Sequence, residues 1–131
     1  MITEHELDAW IVALKSGKYP QITMTLRNKN GYCSMGVLCD ISGKGKWSLY
    51  KPKSAVMQSY DFIGEEFLVI STPPKGWLDV EWETELGTIT LTTHLMTLND
   101  REKWSFSQIA DFLDTEVRLR YFPASPEQET I

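Results

Sequence analysis

The sequence predicts an α+β fold, in which about three short helices pack on one mostly antiparallel sheet. Apolar residues recur at helical spacing near both ends of the chain, and an alternating apolar–polar run lies between them. Helices and strands follow no regular β-α-β rhythm, which favours antiparallel pairing. A chain of 131 residues is one ordinary domain. We expect that domain to occupy residues 1–122 and the polar residues 123–131 to form a flexible tail.

The first predicted helix begins at Thr3. Thr3 and Glu6 have the spacing of a capping box, in which each side chain accepts a hydrogen bond from a free backbone N–H. Gly17 and the Tyr19-Pro20 pair are expected to end this helix. Its apolar stripe is formed by Leu7, Trp10, Ile11 and Leu14.

A strand, a turn and a second helix are expected next. Residues 21–27 (QITMTLR) alternate in polarity and are rich in β-formers, while residues 28–31 (NKNG) have turn chemistry. Ser34 is the expected N-cap of a helix that runs to Ile41, with Gly43 as its left-handed stop. The predicted strand has one apolar face, made of Ile22, Met24 and Leu26.

The middle of the chain is expected to continue as a lysine-rich loop, residues 43–53, around a short strand at 47–50. Residues 53–64 predict a helix, because their apolar residues recur at helical spacing and the segment ends at a glycine. Residues 67–71 (FLVIS) form an apolar run typical of a buried strand, and residues 72–76 (TPPKG) have the composition of a loop.

The clearest strand signal covers residues 77–95, where apolar and acidic residues alternate and Gly87 marks a turn or bulge. Residues 98–104 are polar and predict a loop. Residues 105–114 predict a capped helix, with a Ser105–Gln108 box and a core stripe. Residues 115–122 (TEVRLRYF) predict a final strand.

Charge is divided unevenly along the chain. Residues 1–53 sum to +4, residues 54–86 to −6 and residues 87–131 to −3, giving the total of −5. No apolar run approaches the roughly 18 residues of a membrane span. The opening residues, MITEHELDAW, are acidic where a signal peptide is basic. We therefore expect a cytoplasmic protein without a membrane partner, whose thiols are reduced.

The two cysteines, Cys33 and Cys39, lie six residues apart, and the histidines are isolated. This spacing does not match a zinc site, and six helical residues rise about 9 Å, too far for a disulfide. We expect no metal and no cofactor. A nucleophilic thiol remains an alternative, because Cys33 lies near a helix start; His94 would be its base, oriented by Asp40 or Asp100.

Two charged segments are candidate binding surfaces. Asp79, Glu81, Glu83 and Glu85 would stand in a row on one strand face, about 6.6–7 Å apart. A basic protein surface fits such a row, although a solvated sheet face is the simpler explanation. Basic residues beside aromatic ones suit single-stranded nucleic acid, although the acidity of the whole chain argues against strong affinity. This second set is Lys44, Lys46, Trp47, Lys51 and Lys53.

Three segments together resemble a known family. The runs AWIVALKSGKYPQ, GYCSMGVLCD and LNDREKWSFSQIADFLD are similar, in this order, to segments of small uncharacterised proteins encoded by bacteriophages and bacterial genomes. That family commonly has adjacent cysteines where this chain has Cys33-Ser34, so a mechanism that needs both thiols is in doubt here. The resemblance implies no catalytic role.

The leading functional expectation is a small non-enzymatic phage- or prophage-type protein that binds a macromolecular partner, a host protein, through the acidic residues 79–85. The alternative is a small enzyme or ligand-binding domain with a pocket built from Cys33, His94 and Asp100. A weaker alternative is single-stranded nucleic-acid binding at residues 44–53.

Overall fold

A computed structural model describes residues 1–50, 57–62 and 73–123, with side chains described except at 48–50 and 57–62. It confirms the α+β prediction, since helices combine with two small antiparallel sheets. Among the described helices, none is both long and apolar enough to cross a bilayer.

Helix α1 spans Glu4–Lys15 and begins as predicted. Thr3 Oγ1 accepts a hydrogen bond from the Glu6 N–H at 3.1 Å, and Glu6 Oε1 accepts one from the Thr3 N–H at 3.1 Å. A cap of this kind stabilises a helix by about 1 kcal/mol. All four residues of the predicted stripe are buried, namely Leu7, Trp10, Ile11 and Leu14.

The strand predicted over residues 21–27 is wrong. Gln21 forms an isolated bridge to Tyr32, and residues 23–26 bend. Met24 has a left-handed φ of 74° and is 72% exposed, because its N–H is drawn to Asp100 Oδ1 at 3.0 Å. A hydrogen bond to a residue 76 positions away along the chain therefore decides the backbone here, and the local alternating pattern does not.

Strands β1 (Arg27–Asn28) and β2 (Gly31–Tyr32) form a hairpin around the predicted turn. Helix α2 spans Ser34–Ser42 and ends at Gly43, whose φ of 66° is left-handed, as predicted. Its N-cap is Cys33 rather than Ser34, because Cys33 Sγ accepts the Gly36 N–H at 3.4 Å.

Strands β3 (Gly45–Tyr50) and β4 (Met57–Phe62) complete a sheet in the order β2-β1-β4-β3. The helix predicted over 53–64 is therefore wrong for residues 57–62, which pair in antiparallel register with β3. The rest of that prediction, and the strand predicted at 67–71, lie outside the described residues. Residues 73–76 form a loop, as predicted.

Strands β5 (Glu81–Thr84) and β6 (Gly87–Thr90) form the second sheet, a two-stranded hairpin. The strand prediction over residues 77–95 is thus correct only for this hairpin. Helix α3 (Leu91–Met96) follows at once, because Thr90 Oγ1 accepts the Thr93 N–H at 3.1 Å and caps it. A π-helical turn, Thr97–Arg101, replaces most of the predicted loop.

Helix α4 (Phe106–Phe112) has the predicted capping box of Ser105 and Gln108. The helical run continues through a π-helical segment, Leu113–Val117, into α5 (Arg118–Tyr121). The strand predicted over residues 115–122 is therefore wrong.

The core lies where α1 packs against α2 and α4. Arg118 links the last helical run to α1, because its guanidinium lies 2.5 Å from Asp8 Oδ1 on α1. The same guanidinium lies 2.9 Å from Asp114 Oδ1 within the helical run.

Candidate functional site

Asn99 is the centre of a buried polar network, and only 1% of its surface is exposed. Its Nδ2 donates to the carbonyl of Ile22 at 2.9 Å and to Asp100 Oδ1 at 2.8 Å. Its Oδ1 accepts from Gln21 Nε2 at 2.9 Å and from the Ser34 N–H at 3.3 Å. The π-helical turn thus joins the loop after α1 to the start of α2.

Gln21 extends this network to the start of α4. Its Nε2 also donates to the carbonyl of Trp104 at 2.8 Å, and its Oε1 accepts the Phe106 N–H at 3.1 Å. Asn99 is buried, and a buried polar side chain whose hydrogen bonds are all made holds one arrangement of the chain. The three segments that resemble the family therefore meet at this hydrogen-bond network, which fixes their relative positions.

Cys33 lies in the same region, but its thiol is shut away from solvent. It is 4% exposed, and burial raises the pKa of its thiol to about 12. Cys39 is also a buried free thiol, and burial raises its pKa well above the usual value. Because the thiolate is the nucleophile, these surroundings oppose nucleophilic catalysis.

His94 lies on α3, half-buried among aromatic rings. Its ring is stacked at 5.7 Å from that of Trp82 and tilted at 5.3 Å from that of Phe112. Burial lowers the pKa of its imidazole. Among the hydrogen bonds of the described residues, none joins His94 to Cys33 or to Asp100. The described hydrogen bonds therefore do not connect His94 to the other two residues of the predicted pocket, Cys33 and Asp100.

The basic segment is partly occupied by contacts within the chain. Lys44 Nζ is 2.6 Å from a Glu6 carboxylate oxygen and 5.6 Å from the Trp77 ring centroid. Trp47 is half-buried, and its Nε1 donates to Asp40 Oδ1 at 3.0 Å. Lys46 is exposed, whereas Lys51 and Lys53 lie outside the described residues.

Trp47 is also covered by a cation. The Arg27 guanidinium lies 5.2 Å from its ring centroid and 4.9 Å from that of Tyr32. A cation held over a ring in this way takes a face that a nucleic-acid base would need for stacking. Arg27 thus occupies one face of Trp47, which weakens the nucleic-acid prediction at this residue.

The predicted acidic row separates into two parts. Asp79 precedes β5 and accepts hydrogen bonds from the Gly76 N–H at 2.7 Å and from Thr92 Oγ1 at 3.3 Å. Its carboxylate therefore holds a turn in place. Glu81 and Glu83 lie on β5 and are exposed.

The hairpin Glu81–Thr90, which we call the acidic hairpin, presents one fully exposed face. Glu81 lies opposite Thr90 and Glu83 lies opposite Thr88 in the antiparallel register. All four side chains are exposed. The same hairpin turns through exposed Glu85 and through Leu86, which is 100% exposed. The acidic hairpin thus combines carboxylates with an apolar tip.

A groove of about 350 Å³ runs between the acidic hairpin and the last helical run. Arg120 crosses it, with its guanidinium 5.6 Å from the Trp82 ring centroid and 3.9 Å from Glu83 Oε1. Leu119 is 73% exposed at the groove. The lining residues are Trp82, Glu83, Glu116, Leu119 and Arg120.

Three of these lining residues were missed because residues 115–122 were interpreted as a strand. The correct signal was present, since Leu113, Val117 and Tyr121 are four residues apart and continue the stripe of α4. Leu86 lies within the strand predicted over residues 77–95, but in the structure it occupies the two-residue turn. A helical interpretation would have placed Glu116 and Arg120 together on one helix face.

Clusters of three or more His, Cys, Asp or Glu residues arranged to hold a metal ion are absent from the described part of the chain.

Comparison with known protein families identifies the family of this chain. A family model described as a domain of unknown function (DUF8296) matches residues 3–117, and the chain belongs to this family. No curated protein and no solved structure matches the chain. The family description carries no activity, so the function has to be argued from the geometry.

Proposed function

We propose that this chain is a small non-enzymatic protein of phage or prophage type that binds a protein of its host through the acidic hairpin. One observation carries the proposal: Glu81, Glu83 and Glu85 are all exposed, on the same hairpin as the fully exposed Leu86. The resemblance to small proteins of bacteriophages and bacterial genomes supports the proposed origin and a cytoplasmic site of action.

The chemistry of the acidic hairpin selects the partner. Exposed carboxylates draw a basic surface towards them by long-range attraction, which raises the rate of encounter at low salt. Leu86 then supplies an apolar contact, and apolar side chains at the centre of an interface provide much of its affinity. Asp79 takes part indirectly, because its carboxylate holds the turn that leads into β5.

A binding role fits the polar residues better than a catalytic one. Cys33 is buried and its thiol pKa is raised to about 12. Asp100 Oδ1 is occupied by the N–H of Met24 and the amide of Asn99. The enzyme alternative would need these groups to be released from their contacts before any substrate could reach them.

Charge reversal tests the proposal. The double variant E81K/E83K should capture at least about tenfold less partner from host lysate, since the charge complementarity is inverted. The control is E102K, which reverses an exposed carboxylate away from the hairpin and should capture the partner normally. Unchanged capture by E81K/E83K would remove the acidic hairpin from consideration.

A further inference from the structure

The outer edge of β5 carries backbone groups that β6 does not use. A two-residue loop closes the hairpin at the Thr84–Gly87 pair. In such a hairpin the closing pair is hydrogen-bonded, and bonded pairs then alternate with non-bonded ones. The register therefore turns the N–H and C=O groups of Glu81 and Glu83 away from β6.

Two observed contacts agree with this orientation. The carbonyl of Val80 accepts the Leu91 N–H at 2.8 Å, which is the next bonded pair of the same register and lies on the side of β5 that faces β6. The Tyr121 hydroxyl donates to the carbonyl of Glu81 from the opposite side, where the last helix lies. No hydrogen bond from another described element reaches the N–H or C=O of Glu83. This residue thus offers a free donor and a free acceptor at the strand edge.

The groove described above lies beside this free edge. Trp82 and Leu119 give it apolar walls, while Glu83 and Glu116 place carboxylates along it. Its volume of about 350 Å³ is at the low end of ligand sites, which suits a few side chains of an extended chain.

We propose that an extended basic segment of the partner protein adds as a strand to the free edge of β5. Main-chain hydrogen bonds to Glu83 would hold this segment, as in other cases of strand addition. The residue opposite Glu83 shares its face of the sheet and would be basic. The residue opposite Trp82 shares the other face and would be apolar. This inference rests on the proposed function and names the partner's binding mode.

Charge selects a basic peptide over a second copy of this chain. The groove lining carries two carboxylates against the single guanidinium of Arg120, and the acidic hairpin has two more exposed acids, Glu81 and Glu85. A second β5 edge would bring one of its own glutamates opposite Glu83, and like charges directly opposite each other destabilise strand pairing.

The probe is a capped peptide of about seven residues that alternates lysine and valine, which is long enough for one strand. A first control carries N-methyl groups on the lysine amides, which would face Glu83, so that it keeps charge and apolar surface but cannot pair with lysine opposite Glu83. A second control replaces lysine with glutamate. The wild-type chain should bind the probe at least about tenfold more tightly than either control.

A pair of variants isolates the backbone donor of Glu83. E83Q removes the charge and keeps the N–H, whereas E83P removes both. Proline is tolerated on an edge strand whose N–H faces outwards, so the hairpin should survive, as circular dichroism and heat denaturation will show. E83P should bind the probe at least about tenfold more weakly than E83Q.

Leu119 provides a test that does not touch the strand. L119K places a cation at the groove wall and should weaken probe binding, whereas V12K on α1, where Val12 is 69% exposed, should leave the probe affinity within about twofold. Equal loss in both variants would contradict a site in the groove.

The outcomes separate this inference from the proposed function. Equal binding of the probe and its N-methyl control, or equal binding by E83P and E83Q, would overturn strand addition. The proposed function would still stand if E81K/E83K lost partner capture. Dimerisation of the wild-type chain that E83P abolishes would overturn the inference in favour of a second copy. Tight binding of the glutamate peptide would overturn both ideas.

Discussion

The network around Asn99 and the acidic hairpin are built in opposite ways. Both side-chain atoms of the Asn99 amide are fully bonded, and 1% of the residue is exposed. In the hairpin, Glu81, Glu83 and Leu86 face solvent, and Glu83 keeps unpaired backbone groups at the strand edge. The network joins the three segments that resemble the phage and bacterial proteins, and the hairpin lies between the second and third of them.

This difference teaches that a distinctive motif can mark residues that hold the fold together, while the surface that we propose for binding lies elsewhere. The residues of the GYCSMG segment turn, cap and pack. Gly31 allows Tyr32 N–H to reach the carbonyl of Pro20 at 2.8 Å, and Gly36 lies against the backbone of Leu26. Variants of the network should therefore change stability, and variants of the hairpin should change binding.

The largest expected effect is that of G36A. A Cβ at this position would lie 1.9 Å from the carbonyl oxygen of Leu26, a backbone atom that cannot move aside cheaply. Alanine is the better helix former, so any loss of stability comes from this clash. We expect the free energy of unfolding to fall by about 3 kcal/mol in urea denaturation.

The matched control is G17A, at a position where φ is 75° and nothing lies within 4 Å of the added carbon. Left-handed strain alone should cost it about 1 kcal/mol. If G36A were no more destabilising than G17A, the close approach of α2 to Leu26 would be refuted.

The next effect is that of N99A. Removing the amide leaves the buried Ser34 N–H and the Ile22 carbonyl without this partner, while Gln21 Nε2 keeps the Trp104 carbonyl. Each unsatisfied buried group costs about 1–3 kcal/mol, and we expect a total loss of about 2 kcal/mol after relaxation. The same measurement on N30A, in the exposed turn, should show a change within about 0.5 kcal/mol. An equally small change in the free energy of unfolding of N99A would show that the network does not stabilise the fold.

Thiol reactivity sharpens the comparison between a structural and a chemical role for Cys33. A pKa of about 12 makes the thiolate roughly a thousandfold scarcer than for an ordinary cysteine, and burial slows access further. Neither cysteine should react with a chromogenic disulfide within minutes in the native chain at mildly alkaline pH. Both should react after denaturation. One rapidly reacting thiol in the native state would revive the enzyme alternative.

The smallest effect is expected for S34A. Ser34 Oγ is buried and has no hydrogen-bond partner in the part of the chain that the structure describes. Its removal should leave the free energy of unfolding within about 0.5 kcal/mol or raise it slightly. The contrasting variant is S105A, which removes a bonded N-cap hydroxyl and should cost about 1 kcal/mol. Equal losses in the two variants would mean that Ser34 has a partner.

Elements set by local chemistry were predictable from the sequence. The boxes of Thr3 with Glu6 and of Ser105 with Gln108 act over three residues, and both helices begin where these pairs predict. The turn at residues 28–31 and the stop at Gly43 are equally local.

Elements decided by distant partners were not predictable in this way. Residues 57–62 have helical spacing but pair with β3, and residues 21–26 alternate but bend towards Asn99 and Asp100. The groove was missed for a related reason, since it needs α5 to lie against β5. Only the acidic row itself was visible in the sequence, and the structure leaves Glu81, Glu83 and Glu85 exposed.

The most direct test of the division between architecture and binding is an amide chemical-shift map of the labelled chain with the captured partner. Shifts should concentrate in the acidic hairpin and at Leu119 and Arg120, the groove residues of α5. The amides of Gly36 and Asn99 should stay unchanged. Shifts centred on Cys33, Gly36 or Asn99, with the hairpin unaffected, would contradict the proposed role of the acidic hairpin.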